Sequence, residues 1–252
     1  MTGYIAITGA GSGIGRSIAQ TLSKQGFMLV LLGRNLESLE ATKTLLKKPE
    51  HHQSLTCDIR NSGEIRQALH NSKVPALYSL IANAGLGGEN QYGEKDRWQE
   101  VMDTNLTGTY QTVQECLPLI KKSSAPYKKI IIISSILARL GVPGYSAYCA
   151  SKAGLLGLTR SLAAEYSNDR ILVNALCPGW VDTEMAHEGL QGFADKLNIS
   201  KNEAFEEAMK PVPLGKMSKP EEVAQLVAYL VSEEQTSFTG QTLDINNGAL
   251  MP

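Results

Sequence analysis

Apolar residues recur along the chain in two alternating rhythms. Short, nearly continuous apolar runs at Tyr4–Thr8, Phe27–Leu32, Leu55–Cys57, Ala76–Ala82, Lys129–Ser134, Ile171–Cys177 and Thr242–Ile245 predict seven strands. Uninterrupted runs are what parallel strands need when both faces are covered. Between them the spacing turns helical. Ile14–Gln25 places Ile14, Ile18, Ala19 and Leu22 on one face and stops at Gly26, a C-cap residue. Asn35 caps a helix with apolar positions Leu36, Leu39 and Leu46. Asn61 with Glu64 reads as a capping-box variant opening a helix to about His70. Further helices are expected at about Asp96–Ile120, Tyr148–Tyr166 and Pro220–Val231. Strands alternating with helices imply right-handed crossovers, and so an α/β fold with a doubly wound parallel sheet. No linker or fixed-period repeat interrupts the pattern, and residues 1–252 read as one domain.

Composition excludes several classes. Of 252 residues, 42% are hydrophobic and 19% charged, with a net charge of -1, which is not the profile of a disordered chain. The charge balance offers no basic surplus for a nucleic-acid partner. No apolar run reaches the ~20 residues of a membrane span, and Met1-Thr2-Gly3-Tyr4 has no basic, signal-like start. Cytoplasmic placement with no membrane partner is the expectation. Cys57, Cys116, Cys149 and Cys177 form no CxxC pair and read as small buried core residues. His51, His52, His70 and His187 share no metal-ligand spacing, the first three read as loop or surface residues, and no metal is expected.

In a doubly wound sheet, ligands bind beyond the carboxyl ends of the strands, so the residues just after each strand carry the functional reading. After the first strand comes Thr8-Gly9-Ala10-Gly11-Ser12-Gly13-Ile14-Gly15. Gly9, Ser12, Gly13, Ile14 and Gly15 sit where a pyrophosphate can meet backbone N–H groups at a helix start; the bland alternative is an ordinary glycine-rich turn. After the second strand, a carboxylate would accept the ribose hydroxyls of NAD. The chain has Gly33 and Arg34 there. A guanidinium pairs with a 2′-phosphate, which favours NADP(H) and leaves NAD(H) as second choice. Asp58 and Ile59 follow the third strand, Asp58 as an acceptor for an adenine amino group or as a loop cap. Asn83, Ala84 and Gly85 follow the fourth, as a close-approach segment or a simple turn.

Ser134 and Ser135 end the fifth strand. Tyr148 and Lys152 stand one helical turn apart, and Ser135 lies 13 residues before Tyr148. Free tyrosine, with a pKa of ~10, is a poor acid or base at neutral pH. A neighbouring ammonium would lower that value, and the Ser135 hydroxyl would hold a carbonyl oxygen as charge develops on it.

With these motifs the chain resembles, from end to end, the short-chain dehydrogenases/reductases of about 250 residues, nearest to 3-oxoacyl-[acyl-carrier-protein] reductases. The spacing Gly9-xxx-Gly13-x-Gly15 and the Ser135-Tyr148-Lys152 set carry the likeness. The resemblance implies a Rossmann-type fold and adds Asn105, which would complete a catalytic tetrad and hold a water beside the lysine. It implies cofactor contacts at Pro178, Gly179, Val181 and Thr183. Ile245-Asn246-Asn247-Gly248 departs from the family's usual tail. The activity implied is hydride transfer between NADP(H) and a carbonyl or secondary alcohol.

Residues about 184–212 read as a long inserted loop, and so as a substrate lid. Ser135, Leu137, Val142, Tyr145, Tyr148, Trp180 and Met185 are candidate pocket wall, with His187 as a solvated lid residue. Arg139 and Lys196 read as surface charges, or as contacts for a carrier phosphopantetheine. The helix from Tyr148 is apolar nearly all round, which predicts burial against a second subunit in a homotetramer or dimer. Two other functions stay open: an alcohol, sugar or hydroxyacid dehydrogenase working oxidatively, and a dinucleotide-sensing regulator without turnover. The latter has no use for Tyr148 and Lys152 together.

Overall fold

The computed structural model describes residues 3–90 and 92–251. Strands β1 (Tyr4–Thr8), β2 (Met28–Gly33), β3 (Gln53–Thr56), β4 (Leu77–Ala82), β5 (Lys128–Ile133), β6 (Ile171–Pro178) and β7 (Thr242–Ile245) form one sheet. Its order is β3-β2-β1-β4-β5-β6-β7, and all neighbouring strands run parallel. The winding reverses between β1 and β4, which opens a crevice at their carboxyl ends. The strand runs fall within a residue or two of the expected positions, because each strand must bury side chains on both faces.

Helices cover both faces. On one lie α1 (Gly13–Lys24), α2 (Leu36–Thr44) and α9 (Pro220–Val231); their Ile18, Leu22, Leu39, Val223 and Val227 pack with Ile5, Ile7, Leu29 and Ile131. On the other lie α3 (Ser62–Ser72), α5 (Gly108–Lys121) and α6 (Ser146–Glu165); their Ile65, Val113, Ile120, Leu155 and Leu162 pack with Ala6, Val30, Ile130 and Ile132. Successive residues of β5 thus enter opposite cores, as the two-residue period of a strand requires.

Caps set the helix starts. Asn35 Oδ1 accepts from the Ser38 N–H at 3.1 Å. Asn61 Oδ1 accepts from the Gly63 and Glu64 N–H groups, but Glu64 reaches back to the Asp58 N–H at 2.9 Å rather than to Asn61's own. The expected C-cap Gly26 takes φ +91°, a left-handed conformation that a side chain would strain.

Five expectations are corrected. The helix foreseen at Asp96–Ile120 is α4 (Trp98–Met102), a π-helical turn at Asp103–Thr107, then α5. The segment foreseen as a loop after Glu184 is two helices, α7 (Glu184–Leu197) and α8 (Lys201–Met209). Thr183 caps the first. Ser200 and Glu203 form a full capping box on the second, a spacing legible in the sequence. His52 is buried, not superficial: its Nδ1 accepts from the Leu29 N–H at 3.1 Å and its Nε2 donates to the Lys47 carbonyl at 2.9 Å. Burial holds its pKa below the usual 6.5. Cys149 is half-buried, whereas Cys57, Cys116 and Cys177 are in the core; all four are free thiols. Leu36, expected on an apolar helix face, is exposed because it sits at the first turn of α2, away from the sheet.

One buried cation lies far from the crevice, near the amino ends of the strands. Lys129 is 1% exposed, and its Nζ donates to the Tyr78 hydroxyl at 2.9 Å. That hydroxyl donates to the Val231 carbonyl at 2.7 Å. Burial pushes Lys129 down to about 8 and Tyr78 up to about 12. The unfolded chain keeps this lysine proton to a pH of ~10.5, so between about 8 and that value the unfolded state binds more protons. Stability from this group therefore rises with pH across that window and is lost as pH falls through about 8. The difference in urea midpoint between the wild type and Lys129→Met should grow in favour of the wild type from pH 8 to 10. A pH-independent difference would contradict this.

Candidate active site

The glycine turn between β1 and α1 forms the floor of the crevice. Gly9 (φ +65°) and Gly13 (φ +48°) take conformations that suit glycine. A Cβ on Gly9 would lie 2.9 Å from the Ala84 Cα. Gly15 has no room at all: a Cβ there would be driven into the Gly9 carbonyl oxygen and would lie 2.7 Å from Asn83 Nδ2. The turn is tied to the end of β4. Thr8 Oγ1 accepts from the N–H groups of Asn83 and Ala84, both at 3.0 Å, while Asn83 Nδ2 donates to the carbonyls of Thr8 at 3.0 Å and Gly9 at 3.3 Å. Arg16, one turn into α1, braces the same loop by donating to the Gly11 carbonyl. Ser12 at the N-cap does not fold its hydroxyl back on the helix, which leaves first-turn N–H groups for an anion.

At the carboxyl ends of β4 and β5 the polar groups converge. Ser134 Oγ donates to the Lys152 carbonyl at 2.9 Å, which anchors α6 to β5. Lys152 is 5% exposed; its Nζ donates to the Ile133 carbonyl at 3.0 Å and sits 5.7 Å from the centre of the Tyr148 ring. Tyr148 has Ser135 as a neighbour. Burial pushes Lys152 down to about 8. Burial also holds the Tyr148 phenol above its usual value, with Ser135 acting in the opposite direction. The expected lowering of the tyrosine by its ammonium neighbour is thus outweighed in the protein alone. The physical reason is that the Lys152 Nζ is directed at a backbone carbonyl and not at the phenol oxygen.

Asn105 lies in the π turn, fully buried. Its Oδ1 accepts from the Leu86 N–H at 2.7 Å, and its Nδ2 donates to the Leu86 carbonyl at 2.9 Å and to Ser151 Oγ at 3.1 Å. The side chain clamps the segment after β4 from within. Gly85 fits between: a Cβ there would lie 3.1 Å from Asn105 Oδ1 and 3.3 Å from Lys152 Nζ.

A cleft of about 410 Å³ joins these parts. Of the residues expected around a cofactor, Gly9, Ser12, Gly13, Ile14, Arg34, Asp58, Ile59, Asn83, Ala84, Gly85, Tyr148, Lys152 and Thr183 line it. Gly15 lies beneath the turn. Pro178, Gly179 and Val181 do not line it: Val181 is buried, and Gly179 packs on Asn246. Asp58 lines the cleft with its carboxylate held by Arg60 at 2.6 Å, and Arg60 keeps it below the usual carboxylate range. Met185 lines the cleft, whereas Leu137, Tyr145 and Trp180, expected as pocket wall, do not. Trp180 lies under α7 beside Gly189, and Tyr145 serves as the N-cap residue of α6. Ser135 stands just behind Ser134, bonded to the Leu137 N–H at 3.2 Å. His187 is paired with Asp182 at 2.7 Å, Arg139 with Asp244 at 3.0 Å and Lys196 with Glu89 at 3.5 Å. Sequence reasoning missed Thr104, Leu86, Glu184 and Glu188, which also line the cleft. The last two were legible only once α7 was recognised as a helix, since they stand four residues apart on it.

A reversed parallel sheet, a glycine turn too tight for side chains and a serine, tyrosine and lysine beside one cleft define an α/β dinucleotide-binding oxidoreductase. The chain belongs to the short-chain dehydrogenase/reductase family: a family model described as enoyl-(acyl carrier protein) reductase matches residues 9–249. Among its relatives are the 3-oxoacyl-[acyl-carrier-protein] reductases of Rickettsia felis, 36% identical over 97% of this chain and 95% of the relative, and of Rickettsia prowazekii, 38% identical over the same shares. An actinorhodin polyketide ketoreductase variant solved with NADPH superimposes with a TM-score of 0.92 at 33% identity, covering 98% of this chain and 97% of its own. Levodione reductase superimposes with a TM-score of 0.88 at 25% identity, over 97% and 96%.

Proposed function

We propose that this enzyme reduces a carbonyl group to a secondary alcohol with NADPH, and that its substrate class is the 3-oxoacyl thioester. The observation that carries the reading is the continuous cleft, with Arg34 and the glycine turn at one end and Tyr148 and Lys152 at the other. Its residues fit a dinucleotide: the turn excludes side chains where a pyrophosphate would lie, and Arg34 stands after β2 where a 2′-phosphate would need a cation. The relatives named as 3-oxoacyl-[acyl-carrier-protein] reductases support the substrate class.

When bound, NADPH supplies a hydride to the carbonyl carbon. The chain's own residues do the rest. Ser135 donates a hydrogen bond to the carbonyl oxygen and holds it beside Tyr148. Tyr148 gives its phenolic proton to that oxygen as the C–O bond gains an alkoxide's charge. Lys152, cationic at neutral pH because its pKa is about 8, stabilises the phenolate left behind. Asn105 keeps the Leu86 segment, and so the wall facing Lys152, in place through its side-chain amide.

Helices α7 and α8 would serve as the lid, with Thr183 and Met185 at its hinge end. Assembly through α6 is the matching quaternary reading: Ala153 is exposed and Leu158 half-buried on a helix with few polar side chains. No helix among the described residues is long and apolar enough to cross a membrane. Cytoplasmic placement follows the same reading.

Arg34 gives the direct test of cofactor choice. A hydrogen bond to a charged group contributes ~1.5–3 kcal/mol, or about 10–100-fold. Arg34→Ala should lower kcat/KM for NADPH by that factor and leave NADH nearly unchanged. Steady-state kinetics with both cofactors check it; equal losses for the two would remove the assignment of Arg34.

A further inference from the structure

The segment after β4 is braced more heavily than a connection requires. Arg97 Nη1 donates to the Gly87 carbonyl at 3.1 Å, and its Nε pairs with Glu100 at 3.1 Å. The Arg97 backbone N–H donates to Asn90 Oδ1 at 3.0 Å. Asn90 is buried, and its own N–H donates to the Gly144 carbonyl at 2.6 Å, just ahead of α6. On the inner side, Asn105 holds Leu86 by both backbone groups. Gly87, between these braces, packs on the lid: a Cβ there would lie 3.0 Å from Met185 Sδ and 3.2 Å from its Cγ. Met185 in turn lines the cleft that Tyr148 lines. Gly88 has φ +96°, and a Cβ on it would lie 2.8 Å from Arg97 Nη1, so only glycine leaves the guanidinium its place.

We propose that Arg97 is a positioning residue for substrate: through the Gly87 carbonyl it fixes the seat of Met185, and with it the width of the cleft facing Tyr148. A guanidinium is suited to this because its planar fork meets a carbonyl and a carboxylate at once. A lysine at 97 reaches one of the two. The unbraced turn lets Met185 shift, and substrate then binds with its carbonyl less well placed. The kinetic consequence rests on the carbonyl-reductase reading. The geometric one does not.

The test combines two measurements on the full-length protein. NADPH-dependent kinetics with an acetoacetyl thioester and with a bicyclic ketone compare wild type, Arg97→Ala, Arg97→Lys and Gly87→Ala. Methyl-13C methionine labelling follows the Met185 signal, identified with Met185→Leu. Arg97→Ala should raise KM about tenfold, with kcat within about twofold and NADPH affinity unchanged. Arg97→Lys should recover part of that loss. Gly87→Ala crowds Met185 without touching Arg97, so it should change the ratio of the two KM values. The Met185 signal should move in both alanine variants. An unmoved Met185 signal in Arg97→Ala, or an unchanged KM, overturns the proposal. Equal losses of folding, NADPH affinity and kcat overturn it too, since they mark a merely structural arginine. If the wild type consumes NADPH with neither substrate, the carbonyl-reductase reading fails, and the methyl signal alone decides the brace.

Discussion

Tyr148→Phe should abolish turnover and leave NADPH bound. The substitution removes one hydroxyl and keeps the ring, so the packing against Lys152 at 5.7 Å persists. What disappears is the phenolic acid beside Ser135. General acid catalysis contributes roughly 10²–10⁴-fold, and among the described residues no other phenol lines the cleft. NADPH fluorescence titration should give an affinity within about threefold of wild type, while the absorbance assay shows a loss of about 10³-fold. Retention of more than a tenth of the activity would take Tyr148 out of the proton transfer.

The second large effect is expected at Gly15. Alanine there places a methyl group against the Gly9 carbonyl and the Asn83 amide, and neither can move freely. Asn83 Nδ2 is held by the carbonyls of Thr8 and Gly9, so relief must come from lifting the glycine turn off α1. That displaces the N–H groups proposed to meet the pyrophosphate. The dissociation constant for NADPH should rise by about a hundredfold or more, since several charge-assisted hydrogen bonds are lost together. Gly192→Ala is the control. Gly192 sits within α7 with nothing within 4 Å of its would-be Cβ, so alanine there should raise Tm slightly and leave NADPH affinity alone. Calorimetric titration of both variants decides it; normal NADPH binding by Gly15→Ala would show that the turn has slack.

The sheet was legible because its strands, covered on both faces, admit little but apolar residues: Ile130 to Ile133 alternate between two cores and leave no room for a polar pattern. The ligand-facing turns were legible because they must follow strand ends, and Gly9, Arg34, Asp58, Asn83 and Ser134 do so in one cleft. Other features depend on partners distant in sequence. The π turn at Asn105 forms where a side-chain amide meets the Leu86 backbone, which no local spacing encodes. The helices after Glu184 were obscured by Gly189, Gly192 and a polar composition, although Thr183 and the Ser200–Glu203 box announced their starts. Trp180 looked like pocket wall from its place after β6, but α7 lies over it. His52 looked superficial because its two backbone partners, Leu29 and Lys47, are fixed only by the packing of β2 and the turn after α2. Fold and cofactor floor follow from local pattern, whereas the substrate wall follows from long-range packing.

The cleft is expected to deliver hydride from NADPH to a carbonyl. The most direct measurement is NADPH absorbance with purified protein and an acetoacetyl thioester, run in parallel with NADH and followed by product analysis. Loss of NADPH absorbance should be matched mole for mole by the 3-hydroxyacyl thioester, with NADH used far less well. No NADPH consumption with this thioester or with simple ketones and aldehydes, or a clear preference for NADH, would contradict it.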